Sequence, residues 1–266
     1  MNRTKKLWEK LQQQNRKALI PYFTVGYPSL HLALPIMHGL VDAGADIIEV
    51  GAPFSEPMAE GPIIQAAMES AIHQGVTLRQ TLAVVTEFRK ANQETPVVVM
   101  GYLNPIEYMG YEAFAKAAHA SQIDAVIIVD LPVEESEGLR KALAQFDIAI
   151  IFLVSPTTTV KRMQLIAEYG QGFLYYVSLK GVTGSSQLNT QIVEEGIEKL
   201  RKITQLPIVV GFGIKTAEAA QEVAEFADGV VIGSALVSDL QAVSQDVKEL
   251  PSSALNRIRE IRKVMG

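Results

Sequence analysis

Eight short apolar runs, at residues 19–25, 47–51, 97–100, 125–129, 149–154, 173–177, 208–211 and 229–233, alternate along this chain with longer amphipathic stretches. The runs are of strand length and mostly rich in Val and Ile, and they are apolar on consecutive positions. Continuous apolar runs suit parallel strands buried on both faces. The intervening stretches carry helical spacing. Leu78, Leu82 and Val85 fall at i, i+4 and i+7, as do Leu139, Leu143 and Phe146, and each triplet makes one apolar helix face. Strict strand–helix alternation repeated eight times predicts a closed parallel barrel. An open doubly wound sheet is the competing architecture. The chain's 266 residues match the usual size of such a barrel, about 250 residues. With 48% hydrophobic and 20% charged residues there is ample material for one core. The expectation is an α/β chain forming a single (β/α)8 TIM-barrel domain over residues 1–266.

Several details modify that scheme. A helix from Thr4 to about Gln14 precedes the first run, and its Leu7 and Leu11 could cover the barrel bottom. Pro35 lies inside a helix expected over residues 29–44, so it must occupy the first turn or kink the helix. Residues 52–62 and 178–189 form long loops after the second and sixth strands. Loops at the C-terminal ends of barrel strands are where sites are built.

Composition removes several functional classes. A net charge of −5 with no Lys/Arg stripe is no electrostatic footprint for nucleic acid. No apolar run approaches a membrane span, and the charged N-terminal stretch lacks the apolar core of a secretory signal. With no cysteine there are no disulfides and no thiolate metal sites, which fits a reducing compartment. Cytoplasmic residence is the expectation. His31, His38, His73 and His119 are scattered and form no metal-binding pair, so no metal site is expected. Walker A, GxGxxG and GxSxG patterns are absent. Lys180 and Lys215 fall in rim loops rather than at inward strand positions, which argues against Schiff-base chemistry.

One carboxylate stands out. In Ile47-Ile48-Glu49-Val50-Gly51 the strand period puts Ile48 and Val50 toward the helices and Glu49 toward the barrel interior. An ionisable group there is costly unless paired or used. Burial would raise its pKa toward neutrality, as suits a group that both gives and takes protons. Glu60, just before a helix start at Pro62, is either a favourable charge at that helix end or a second site carboxylate. The seventh run ends in Gly211-Phe212-Gly213-Ile214 and the eighth in Gly233-Ser234-Ala235. Glycines there let backbone N–H groups approach an anion, with a short helix starting at Ser234 behind them. Phosphate sites of this fold recur at that place.

The segment Ala45-Asp46-Ile47-Ile48-Glu49-Val50-Gly51-Ala52-Pro53-Phe54-Ser55-Glu56-Pro57 resembles the signature of the tryptophan synthase α subunit family. Further similar blocks are Tyr102-Leu103-Asn104-Pro105, Asp130-Leu131-Pro132-Val133-Glu134-Glu135-Ser136, Gly181-Val182-Thr183-Gly184 and Gly211-Phe212-Gly213-Ile214, in family order over nearly the whole chain. The resemblance implies a carbon–carbon lyase of tryptophan biosynthesis. Its reaction is retro-aldol cleavage of indole-3-glycerol phosphate to indole and glyceraldehyde 3-phosphate. It implies Glu49 as acid–base residue and Glu60 as partner of the indole N–H. It further implies an indole pocket of Tyr22, Ile64, Met100, Ile127, Leu153 and Phe212, although Ile127 and Leu153 would serve equally as plain barrel core. Tyr102 and Tyr175 resemble site tyrosines. Thr183 would sit in a closing loop, and Gly184, Gly213, Gly233 and Ser234 would hold phosphate.

This chain departs from the family pattern with Glu at positions 56 and 60, where Asp is usual, and with Tyr22 and Met100 in place of the commoner Phe and Leu. Under the resemblance the chain itself carries no cofactor. Its expected partner is a pyridoxal-phosphate-dependent β subunit in an αββα heterotetramer, docked on residues 53–57, Asn104-Pro105 and Pro132. The competing function is a low-turnover regulatory subunit that binds substrate and activates its partner.

Overall fold

The computed structural model describes residues 3–177, 190–211 and 213–266. All strands are parallel: β1 (Ala18–Thr24), β2 (Ile48–Gly51), β3 (Val97–Gly101), β4 (Ala125–Ile128), β5 (Ala149–Ile150), β6 (Leu153–Val154), β7 (Leu174–Val177), β8 (Ile208–Gly211) and β9 (Gly229–Ile232). Their hydrogen-bonded order is β5-β4-β3-β2-β1-β9-β8-β7-β6. The two ends of that order, β5 and β6, are pieces of one run, residues 149–154. Its first half bonds β4, with Ile151 N donating to Val126 O at 2.9 Å. Its second half bonds β7, with Tyr175 N donating to Phe152 O at 3.1 Å. The sheet therefore closes on itself as a (β/α)8 barrel whose fifth strand changes partner halfway along.

Two apolar layers follow from the strand period. Leu19, Phe23, Ile48, Val50, Val97 and Val99 point outward and pack under the helices. Ile20, Tyr22, Val98, Met100, Ile127 and Tyr175 point inward. The helix Arg3–Gln13 closes the bottom as expected: Leu11 is buried in the inner layer, Leu7 and Trp8 pack against it, and the Trp8 ring meets Phe173 edge-on at 5.8 Å.

The outer helices obey their apolar spacing with two adjustments. Leu78, Leu82 and Val85 are buried along the helix Leu78–Ala91, which starts in a Thr77/Gln80 capping box. The stretch expected as one helix over 29–44 is a 3₁₀ turn, Leu30–Leu32, followed by the helix Ala33–Asp42, so Pro35 falls in the first α-helical turn, where its missing N–H costs nothing. The helix Glu137–Ala144 holds Leu139 and Leu143 but ends before Phe146, which turns back on the core from the following loop. His38 and His119 pack against Phe88 and Phe146. Among the described residues no helix is long and apolar enough to cross a membrane.

The bottom of the barrel carries a repeated device that the sequence reading missed. Asp46, Asp124 and Asp228 each stand just before a strand, within an apolar-Asp-apolar triplet. Each accepts a backbone N–H from the first or second residue of the neighbouring strand: Leu19 at 3.0 Å, Val97 at 2.8 Å and Ile208 at 2.8 Å. Each also meets arginine: Arg16 and Arg262 on Asp46, Arg89 and Arg3 on Asp124, Arg201 on Asp228. Unpaired strand-end donors are thereby satisfied at the N-terminal face of the barrel, where such residues serve stability.

Candidate active site

The cavity at the C-terminal mouth of the barrel is lined, among the described residues, by Tyr22, Glu49, Glu60, Ile64, Met100, Tyr175, Gly213, Gly233 and Ser234 from the expected set. Gly61, Pro62, Ile63, Ile214, Lys215 and Val231 join them. Val231 belongs to the inner layer of β9 and was not among the expected residues. Lys215, a rim-loop lysine by sequence, also reaches the cavity wall. Thr183, Gly184 and Phe212 lie outside the described residues, as do Lys180 and the loop 178–189. Ile127, Leu153 and Tyr102 are not among the lining residues. Ile127 and Leu153 belong to the packed interior beside the cavity, which is the plain-core role left open for them.

Glu49 projects inward from β2, 1% exposed, beside Tyr22 in the β1–β2 register. Burial, and then the nearby charge of Glu60, push its pKa up to about 8. Glu60 is 6% exposed, and burial raises it to about 7. Each carboxyl has one oxygen, Oε2 of Glu49 and Oε1 of Glu60, without a hydrogen-bond partner among the described residues. A buried acceptor left open is costly, so these two oxygens are available for a ligand. Glu60 is thus a buried lining residue of the cavity and not a solvated helix-end charge. The helix after it, Pro62–His73, begins with Pro at its start and Gly61 as N-cap.

The loop that carries Glu60 is held from both sides. Glu60 N donates to Pro57 O at 3.0 Å, and Gln65 Nε2 donates to Glu60 O at 2.8 Å. Ala59 N donates to the Tyr102 hydroxyl at 3.2 Å, and the Tyr102 ring stacks on Phe54 at 4.9 Å. Tyr102 thus contacts the loop that carries Glu60 instead of lining the cavity. Tyr22 hydrogen-bonds Thr24 Oγ1 at 3.1 Å, so the hydroxyl added at this position is satisfied inside the barrel. Burial drives the Tyr22 and Tyr175 hydroxyls well above their usual range and keeps them neutral.

Two glycine turns also line the cavity. Gly213 has φ +82°, a conformation that favours glycine. A side chain at Gly211 would collide with the Tyr175 hydroxyl, and one at Gly233 would stand beside Tyr22 and Ile64, in the cavity itself. The helix Ser234–Leu240 begins where expected, with Gly233 as its N-cap. The mouth therefore brings together apolar side chains, two buried carboxyls and two glycine turns around one cavity.

A family model described as tryptophan synthase alpha chain matches residues 8–265. Relatives with that description come from Nitrosococcus oceani, 45% identical over 265 residues covering 100% of this chain and 98% of the relative, and from Marinobacter nauticus, 46% identical over the same share of each. The crystal structure of tryptophan synthase subunit alpha from Legionella pneumophila superposes with a TM-score of 0.91 at 42% identity, covering 100% of this chain and 98% of that one. A Mycobacterium tuberculosis tryptophan synthase chain, aminoacrylate-bound form, gives 0.88 at 32% identity, covering 100% of each. On barrel, site and sequence together, the chain belongs to the tryptophan synthase alpha chain family.

Proposed function

We propose that this chain cleaves indole-3-glycerol phosphate to indole and glyceraldehyde 3-phosphate, with Glu49 and Glu60 as its catalytic residues. The observation that carries this reading is the pair of buried carboxyls with open oxygens in one apolar cavity that two glycine turns also line. The slot of Tyr22, Ile64, Met100 and Tyr175 suits the indole ring, and Gly213, Gly233 and Ser234 suit the phosphate.

With a pKa near 8, Glu49 is protonated at neutral pH and can give its proton to indole C3. The resulting carboxylate takes the proton of the side-chain hydroxyl. The C–C bond breaks, its electrons return to the ring, and the hydroxyl carbon becomes the aldehyde. Glu49 ends protonated, as it began. Glu60, near 7, is ionised in a substantial fraction of molecules. Its carboxylate accepts the indole N–H and stabilises the positive charge that C3 protonation creates, a large effect in a dry site. The two groups interact, so activity should follow a narrow bell whose acid limb, near pH 7, reflects loss of the Glu60 carboxylate. Its alkaline limb, near pH 8, reflects loss of the Glu49 proton.

The rim supports a partner as well. Met58 and Tyr108, large apolar side chains, are 79% and 93% exposed there. They extend the surface of residues 53–57, Asn104-Pro105 and Pro132 that suits docking of a pyridoxal-phosphate-bearing β subunit in an αββα assembly in the cytoplasm.

Indole release by the purified chain, alone and with a β subunit, tests the reading. Release in both conditions, faster in the second, is expected. No release in either, with partner activation retained, would replace it with the regulatory role. Glu60→Asp, which restores the commoner family residue, should preserve or raise turnover; a large loss would show that the longer arm is specifically needed. Tyr102→Phe should lower turnover about fivefold by freeing the Ala59 N–H, the effect of one ordinary hydrogen bond. Unchanged kcat in that variant would remove Tyr102 from the positioning of Glu60.

A further inference from the structure

The two glycine turns lie at the ends of different strands, β8 and β9, and a phosphate must meet both at once. The β8–β9 register, Val209 opposite Gly229, brings them side by side. Arg257 spans the segments behind them. Its Nη1 donates to the carbonyl oxygen of Lys215, two residues past Gly213, at 2.5 Å. Its Nε and Nη2 grip both carboxylate oxygens of Asp239, at 2.5 and 2.9 Å, and Asp239 stands on the short helix that begins at Ser234. One planar guanidinium thus ties the loop after β8 to the helix after β9. A bidentate fork fixes angle as well as distance. Arg257 is itself anchored: the helix Asn256–Met265 that bears it buries Ile258, Ile261 and Met265. Arg257 is not among the residues lining the cavity.

We infer that Arg257 is a positioning residue for the phosphate end of the site, setting the spacing of the two turns through Lys215 and Asp239. The inference rests on the function proposed above. Arg257 touches neither substrate nor reacting atoms. Its ion pair with Asp239 is partly exposed, 34% and 28% for the two side chains, so removing it should change global stability little. Its effect falls on the geometry of the turns and is specific to a ligand that carries a phosphate.

Binding of indole-3-propanol phosphate and of unphosphorylated indole-3-propanol to the full chain separates this role from a merely structural one. Arg257→Gln should weaken the phosphorylated ligand about tenfold, the loss of a charge-assisted hydrogen bond, and leave the unphosphorylated one unchanged. KM for substrate should rise with kcat at saturation held. Arg257→Lys should recover part of the loss. Asp239→Asn cuts the same fork from the other side and should reproduce the effect, with little added in the double variant; it also decides the matter if Arg257→Gln fails to fold. Equal weakening of both ligands, or no weakening of the phosphorylated one, would overturn the inference. If the unaltered chain shows no preference for the phosphorylated ligand, the proposed function itself fails, a result distinct from either.

Discussion

Glu49→Gln is expected to abolish indole release, a loss of about a thousandfold or more, while making the folded chain more resistant to alkaline pH. The first effect follows from the double duty of the carboxyl. An amide can neither give the proton to indole C3 nor accept one from the hydroxyl, and a positioned acid–base group contributes about 10²–10⁴-fold to a rate. The second effect follows from linkage. The folded chain holds the Glu49 proton up to about pH 8, whereas the ordinary value is 4.5. Between those pH values the folded state binds a proton that the unfolded state has released, so stability falls as pH rises through that window and levels above it. Glutamine has no such slope. The stability difference, variant minus wild type, should therefore grow between about pH 5 and pH 8, toward a gain of several kcal/mol that is read as a rising difference in Tm. Thermal unfolding across that range, beside the indole assay, checks both halves. Turnover within tenfold of wild type would take Glu49 out of the chemistry. A pH-independent difference in Tm would show that the carboxyl is ionised, and therefore solvated or paired, at neutral pH.

Asp124→Ala acts at the opposite end of the barrel and should leave the chemistry of each folded molecule unchanged. Asp124 accepts from Arg89 at 2.8 Å, from Arg3 at 3.0 Å and from the Val97 N–H at 2.8 Å. Arg89 is 1% exposed, and burial already lowers its pKa to about 10 against the pull of Asp124. Removing the carboxylate strands that guanidinium inside the protein, and breaking such a pair costs about 3–5 kcal/mol. For a chain of this size the fall in Tm should be about 10 °C. Asp124→Asn, which can still accept the Val97 N–H, should lose less. Arg89 also donates to the carbonyl oxygens of Gln122, Asn92 and Thr95. A loss under about 1 kcal/mol would mean that those three acceptors suffice for the buried charge.

The orientation of Glu49 could be counted from the strand period, and the two glycine turns could be placed from the order of the strands. The depth of a residue in the barrel could not. Strands of a barrel are tilted, so a row of register partners does not stay level but runs along the barrel as it passes around it. The row Tyr22, Glu49, Val98, Ala125 starts at the cavity and ends in packed core. Met100 is two residues above Val98 and returns to the mouth, whereas its partner Ile127 does not. Ile127 and Leu153, which the resemblance put in the pocket, therefore belong to the inner layer without reaching the cavity. The same limit hid the roles of Tyr102, Asp124 and Arg257, whose partners lie 43, 27 and 18 residues or more away in the chain.

By itself the sequence determined the alternation of strand and helix, the inward acid of the second strand and the glycines ending the last two, because each is a local pattern within one segment. The tertiary structure alone decided which inward residues reach the cavity and that the fifth strand divides between two neighbours. It alone showed that Glu60 is buried with Glu49, and that Arg257 and the three aspartates tie distant segments together. Those outcomes depend on stagger, closure and burial, which arise only when all eight strands meet and water is excluded between them.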